Sequence, residues 1–325
     1  MGLPEREWHI FDTIKFGIHL APTSEQLEKW DKVKERIQCY PTMMIRTKYE
    51  TWLNKIEKGS IHVIYYPQDR NNRPEPLLLF EMSLPKLVYG DNIHMISSPS
   101  SAIEEAHRVI GQYRYIPSVD LNQGILNRMD LCFNLQVGVC VLEWIRQLYK
   151  LEYPRRKTKP YYPSQGVQYY SRKASLSFYG KEAETRDSDA HGILRMEASW
   201  RDKNRIGKLV GKPLATIGDF TSKVVVSLLN AELEKLGIKD RAPVDSLATL
   251  RILTEKYGSE QGVRLYGHLN ARQIASNKEM KAMGMTKQTI SRSQNQIRDA
   301  GLSMCIAENE VALPKLMITP RSIVE

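Results

Sequence analysis

The sequence predicts an α+β protein, a mostly antiparallel β-sheet domain followed by an α-helical C-terminal domain. Two observations carry this. Up to about residue 200, segments of alternating hydrophobicity are interleaved with segments of helical period, the mixture expected of an α+β sheet domain. From residue 213 onward the strand signals stop and only helical patterns follow. The length of 325 residues is ample for two domains.

Taken in order, residues 10–20 place Ile10, Ile14, Phe16, Ile18 and Leu20 on one face of a half-buried strand, with Asp12 interrupting that face. Residues 24–38 read as a helix capped by Thr23 or Ser24. Strands are expected over 41–48, 61–66 and 77–83. Serines then open a helix near 100–111, followed by a strand over 124–135 and a helix over 138–150. The basic, Pro- and Tyr-rich run YPRRKTKPYYPSQG (153–166) reads as an exposed loop, and strands follow near 168–179 and 192–200. Helices are expected near 213–236, 244–256, 259–269, 274–283 and 287–299. The stretch 237–243 is the expected boundary, giving a domain over 1–236 and another over 237–325.

Composition narrows the class. Apolar residues make up 42% and charged residues 26%, as in ordinary soluble globular proteins. Lys and Arg number 47 against 37 Asp and Glu, a net charge of +10 that favours polyanionic partners. Residues 150–215 hold fifteen Lys/Arg and seven Asp/Glu, so most of the surplus lies in one fifth of the chain. Cys39, Cys132, Cys140 and Cys305 form no C-x-x-C pair, which argues against zinc fingers and disulfide frameworks; Cys132 and Cys140, in strongly apolar stretches, read as small buried hydrophobes in a reducing compartment. The opening MGLPEREWHIFD lacks the apolar core of a signal peptide, and no run of eighteen apolar residues exists. A cytoplasmic protein with no membrane partner is expected.

Strand parity then singles out reactive groups. In ILNRMDLCFNL (125–135) the apolar set is Ile125, Met129, Leu131, Phe133 and Leu135, and Asp130 lies opposite with Arg128 and Asn134. In SLSFYG (175–180) Tyr179 lies opposite Leu176 and Phe178. In GILRMEASW (192–200) Glu197 lies opposite Leu194, Met196, Ala198 and Trp200. Two carboxylates can hold a hard divalent cation that polarises a phosphate, and a tyrosine oxygen can attack phosphorus. Lys181, two residues after Tyr179, is placed to lower the phenol's pKa or neutralise the phosphate. Charged residues and tyrosines on strands are equally ordinary surface positions, so parity alone leaves both readings open.

Six segments in order carry a resemblance: FDTIKFGI (11–18), FEMSLPKLVYGDNIH (80–94), NRMDLCFN (127–134), SLSFYGKEAE (175–184), GILRMEASWR (192–201) with GKPL (211–214), and MTKQTISRSQNQIRDAGL (285–302). Together they resemble the gene II / gene X family of filamentous-phage and plasmid rolling-circle replication initiators. The resemblance implies a site- and strand-specific DNA endonuclease and strand transferase acting at an origin through a covalent 5′-phosphotyrosine. It implies Tyr179 as nucleophile, Lys181 as its assisting cation, and Asp130, Glu197 and Glu81 as ligands of Mg²⁺ or Mn²⁺. Glu81 is the weakest of the three, because parity sets it beside Leu77 and Leu79; Asp12 is a further candidate, and Glu184 could serve the metal or orient Lys181.

The His-hydrophobic-His metal motif of many rolling-circle nickases is absent, which points to a carboxylate-dominated site; His94 or His191 could add one nitrogen. Tyr161, Tyr162, Tyr169 and Tyr170 could be second nucleophiles, base-stacking platforms or structure, with structure favoured for each. DNA is the expected partner, through Arg172, Lys173 and Arg195 in the first domain. In the second, a helix–turn–helix pattern turning at Gly284 would present Lys287, Arg292 and Arg298. No P-loop occurs, so a host helicase, together with a host polymerase, is expected. A tyrosine recombinase is disfavoured because no His-x-x-Arg is found. The competing reading is a non-enzymatic origin-binding or regulatory protein, with no metal dependence and no role for Tyr179.

Overall fold

The computed structural model describes residues 11–39, 42–54, 59–68, 74–94, 96, 99–162, 165–185, 187–238, 244–306, 316 and 318, leaving aside the side chains of 37–44. Among them are ten strands: β1 (Phe11–Ile18), β2 (Asp31–Cys39), β3 (Thr42–Leu53), β4 (Ile61–Gln68), β5 (Pro74–Ser83), β6 (Ile125–Gln136), β7 (Lys157–Pro160), β8 (Gly166–Tyr170), β9 (Ala174–Gly180) and β10 (Ile193–Trp200). Their hydrogen-bonded order is β2-β3-β4-β5-β1-β6-β10-β9-β8-β7. The fold is α+β with an antiparallel sheet and helices concentrated toward the C-terminus, as the sequence predicts.

Two compact units divide the chain. Of the described residues, one takes those up to Cys132 with Ser199–Val225, and the other takes Phe133–Ala198 with those from Val226 on. Strands β6 and β10 contribute to both. Of the expected boundary at 237–243, residues 239–243 lie outside the described residues.

In the first unit β2 to β5 form a meander, and β1 is inserted antiparallel between β5 and β6. Ile14, Phe16, Leu78, Phe80, Met82, Leu126 and Met129 are buried, the period-2 pattern of strands that cover a core. The helix expected over 24–38 shrinks to one turn, α1 (Ser24–Leu27). Thr23 closes it with a capping box, its Oγ1 accepting from the Gln26 amide at 3.2 Å while Gln26 Oε1 accepts from the Thr23 amide at 2.9 Å. From Asp31 the chain is β2, fully registered against β3. Lys, Glu and Arg favour a helix here, but Val33 and Glu35 are half-buried while Lys32, Lys34 and Arg36 are exposed. That alternation, and the cross-strand pair Arg46–Glu35 at 3.1 Å, outweigh the propensity. Helix α2 (Leu84–Tyr89) and α6 (Lys203–Leu209), neither expected, and α3 (Pro99–Gly111) complete the regular helices of this unit. The 213–221 part of an expected helix holds only a short turn at Ile217–Asp219.

In the second unit the expected loop 153–166 contains β7, an exposed edge strand registered with β8 from Lys157↔Tyr170 to Pro160↔Val167. Its lysines and proline suit an edge that must not recruit another chain. The strand expected over 168–179 is a hairpin, β8 and β9, turning at 171–173. Helices α4 (Val141–Tyr149), α5 (Lys181–Thr185), α7 (Ser222–Leu236), α8 (Ser246–Tyr257), α9 (Ser259–Ile274), α10 (Asn277–Ala282) and α11 (Lys287–Asp299) follow, α7 beginning in the first unit.

Gly207 in α6 lies against the carbonyls of Lys212 and Pro213, where a Cβ would come within 2.5 and 2.6 Å. Gly207→Ala should lose about 1–3 kcal/mol through overpacking, despite alanine's better helix propensity. Gly111→Ala, where a Cβ meets nothing within 4 Å, should be close to neutral. Urea midpoints of the two variants check this.

Candidate active site

In the first unit the site is built on one bulge. On the β1–β6 ladder Phe11 faces Leu131 and Ile14 faces Met129, so Asp12 and Thr13 of β1 stand opposite Asp130 alone. Such an extra residue re-aims side chains and is frequent beside active sites. Both carboxylates are buried, Asp130 to 2% exposure. Asp12 Oδ1 accepts from Ser83 Oγ at 3.1 Å. Asp130 accepts from Arg128 Nε at 3.0 Å and from Nη2 at 2.5 Å.

A charge ladder crosses β5, β1 and β6 beside this pair. Lys15 is registered with Glu81 on one side and with Arg128 on the other. Lys15 Nζ reaches Glu81 Oε2 at 3.0 Å, and Arg128 Nη1 reaches Glu81 Oε1 at 2.7 Å. Burial pushes the Asp130 carboxyl above the usual range; Asp12 adds to this while Arg128 opposes it. Burial would also raise Glu81, but Lys15 and then Arg128 hold it below the ordinary carboxylate value. The face of β6 that parity assigns to Asp130 is thus covered: Met129 to Leu135 are buried without a break. Glu81 does share its side of β5 with Leu77 and Leu79, but the deeper face of that strand is Leu78, Phe80 and Met82.

The second unit holds the tyrosine. Every residue of β9 is buried, and Tyr179 is 1% exposed. Its hydroxyl donates to Glu197 Oε2 at 3.1 Å. The rings of Tyr161 and Tyr162 lie 5.5 and 5.0 Å from the Tyr179 ring, centre to centre. Gly166, registered with Tyr179, permits this cover: a Cβ there would come 2.4 Å from the Tyr161 carbonyl. Burial, with Glu197 and Tyr162 next, pushes the Tyr161 phenol well above its ordinary value; burial and then Glu184 raise Tyr162. Lys181 opens α5 fully buried and pairs with Glu184. Tyr169 is a core residue whose hydroxyl donates to the Leu148 carbonyl, and Tyr170 is half-buried under Lys159 Nζ, 5.0 Å from its ring centre. The sequence marks Tyr161 and Tyr162 as possible nucleophiles, stacking platforms or structure in a loop, but not that they cover Tyr179.

Asp12, Asp130 and Ser83 offer the hard oxygen donors that Mg²⁺ or Mn²⁺ takes, and two buried carboxylates facing each other would gain from a cation. Glu81 fits less well, since a cation occupies each of its oxygens. Among the described residues no group of three or more His, Cys, Asp or Glu side chains is poised to hold a metal. His94 and His191 pair instead with Asp91 and Glu182 at the surface, at 3.0 and 2.8 Å.

Of the cations expected on DNA, Arg172 and Lys173 are exposed at the β8–β9 turn, and Lys287 and Arg292 on α11. Arg298 is half-buried, and Arg195 is completely buried, so it reaches no surface ligand in this conformation. The helix–turn–helix shape is present: α10, Gly284 at φ +94°, and α11 capped by Thr286 Oγ1 accepting from the Thr289 amide at 3.1 Å.

An antiparallel-sheet α+β protein with a strand-borne tyrosine bonded to a carboxylate, and a basic helical part, is the class these features define. Residues 14–238 match the family described as replication-associated protein G2P, N-terminal. The chain belongs to that family, the filamentous-phage gene II replication initiators. Membership carries a role in phage DNA replication, with DNA as partner. Comparison with curated proteins and with solved structures gives no match. Among the described residues no helix is long and apolar enough to cross a membrane.

Glu81 has a lowered pKa in the folded state, so its contribution is present above the unfolded carboxylate value and is lost as pH falls through the folded one. Glu81→Gln should therefore lower stability most at pH ~7 and least below pH ~4, the range where an unperturbed carboxylate is protonated. Urea unfolding in EDTA at both pH values checks it.

Proposed function

We propose that the protein initiates rolling-circle replication by nicking one strand of an origin, with Tyr179 as nucleophile. The observation that supports this most is the Tyr179–Glu197 hydrogen bond, which gives the phenol a proton acceptor. The Tyr179 oxygen attacks phosphorus while its proton passes to Glu197. The bond from phosphorus to the 3′ oxygen breaks, that oxygen takes up a proton from water to leave as a 3′-OH, and the 5′-phosphate remains on the tyrosine. Attack by a 3′-OH on the phosphotyrosine reverses the step and rejoins a strand, so no nucleotide cofactor is consumed. Lys181 is the proposed assisting cation, held by Glu184.

A bound Mg²⁺ or Mn²⁺ would polarise the scissile phosphate. Asp130, with Asp12 across the bulge, is the proposed holder in the first unit. Glu197 and Glu81 are assigned as ligands by resemblance alone, and Glu197 has a competing role as proton acceptor. Arg172, Lys173, Lys287 and Arg292 are proposed DNA contacts, and a host helicase and polymerase are proposed partners.

One observation favours the competing, non-enzymatic reading: Tyr179 is buried beneath Tyr161 and Tyr162. The nickase requires those rings to move when DNA binds. Supercoiled DNA carrying the native origin, incubated with Mg²⁺ or Mn²⁺, tests the two. Wild type should nick and become covalently labelled; Tyr179→Phe should bind DNA yet lose nicking by at least about 10³-fold. Tyr169→Phe should keep nicking and lose about 1 kcal/mol of stability with its carbonyl bond. Wild-type protein that binds the origin without cutting it under either metal would leave the regulatory reading in place.

A further inference from the structure

The second unit contains a cleft of about 480 Å³ that the nicking reaction does not use. It lies between the 151–156 segment, the end of α7, α10 and α11. Seven Lys or Arg line it against a single acid, Glu152. We propose that this cleft binds the phosphodiester backbone of DNA, with Arg156 and Arg272 at its base and Arg155, Lys278 and Lys281 at its rim.

The base is built rather than incidental. Glu232, almost fully buried, accepts from the Tyr153 hydroxyl at 2.7 Å and pairs with Arg156 at 3.0 Å and Lys235 at 2.7 Å. The Arg156 guanidinium also stacks 3.9 Å from the Tyr153 ring centre. Glu232 and the Tyr153 ring thus fix one guanidinium whose side chain is only 3% exposed. Arg272 is held by the Ala275 carbonyl at 3.2 Å and by Glu152 at 3.6 Å. Even so, Arg156 Nη1 and Arg272 Nε are buried donors with no acceptor among the described residues. Oriented guanidinium donors suit phosphate oxygens.

The rim adds an independent observation. Pro154 and Arg155 form the corner of a turn closed by the Arg156 amide on the Tyr153 carbonyl at 3.2 Å. Arg155 has φ +62°, the left-handed position after proline that glycine normally fills. A long cation kept at a strained position points to a use for its charge. Lys278 and Lys281 face the cleft from α10 and are exposed. Single positive charges spaced around a groove, with almost no acid, fit a polyanionic strand better than a compact metabolite.

The proposal rests on DNA being the partner and not on the Tyr179 chemistry, so it is tested in EDTA with no cleavage. A fluorescein-labelled duplex of mixed sequence is titrated with the full chain, and log K is followed against log salt. The triple variant Arg155→Ala/Lys278→Ala/Lys281→Ala should lower the salt slope by about 2–3 and weaken binding at least tenfold. Arg251→Ala/Arg264→Ala, which removes exposed charge from α8 and α9 outside the cleft, should leave the slope within about 0.5 of wild type. Arg155→Gly separates binding from folding: it should leave the thermal midpoint unchanged or higher while lowering the slope by about 0.9. An unchanged slope in the triple variant overturns the proposal. So does polyglutamate competing as well as DNA at equal charge, since a phosphate site should prefer the diester.

Discussion

Burying a carboxylate inside a sheet is the constraint around which the first unit is arranged. A lone buried charge costs several kcal/mol, and burial pushes Asp130 toward its neutral form against the pull of Arg128. Arg128 answers this with two nitrogens on Asp130 and a third on Glu81. Lys15, standing between Glu81 and Arg128 in register, completes the ladder. The order β5-β1-β6 is what makes the ladder possible, because only with β1 in the middle are those three positions neighbours. The bulge that admits Asp12 sits on the same strand pair, so strand order, bulge and charge balance form one device.

The second unit answers the same constraint differently. Tyr179 and Lys181 are both buried, and each is given a carboxylate, Glu197 and Glu184. Two tyrosine rings then close over the phenol, and the close approach of the 161 backbone depends on Gly166. The phenol is thus bonded to a carboxylate and shielded from water. Glu232 repeats the pattern with a buried acid that orients cations. Asp130 and Glu232 are thus buried acids that hold Arg128 and Arg156 in place.

Much of this was legible in the chain as written. The alternation that set Asp130, Tyr179 and Glu197 opposite the apolar positions of their strands needed only the period of a β-strand, and all three do lie on strands. The antiparallel α+β class followed from where period-2 segments stop. The family followed from six short segments in order. Locally determined features also transferred: the Thr23 cap, the Gly284 turn and the Thr286 cap depend on a few adjacent residues.

What the sequence left undetermined were features decided by partners distant along the chain. β2 reads as a helix from its Lys and Glu content, and only its ladder with β3 makes it a strand. The 153–166 stretch reads as an exposed loop; residues 157–160 are exposed as expected, but β8 recruits those four as an edge strand. Parity showed which side of a strand Asp130, Tyr179 and Arg195 occupy, but not that both sides would be covered. Alternation is a local property of the backbone, so the sequence by itself determined the facing of these side chains. Burial depends on what the rest of the chain lays over each face, and the tertiary structure alone decided that.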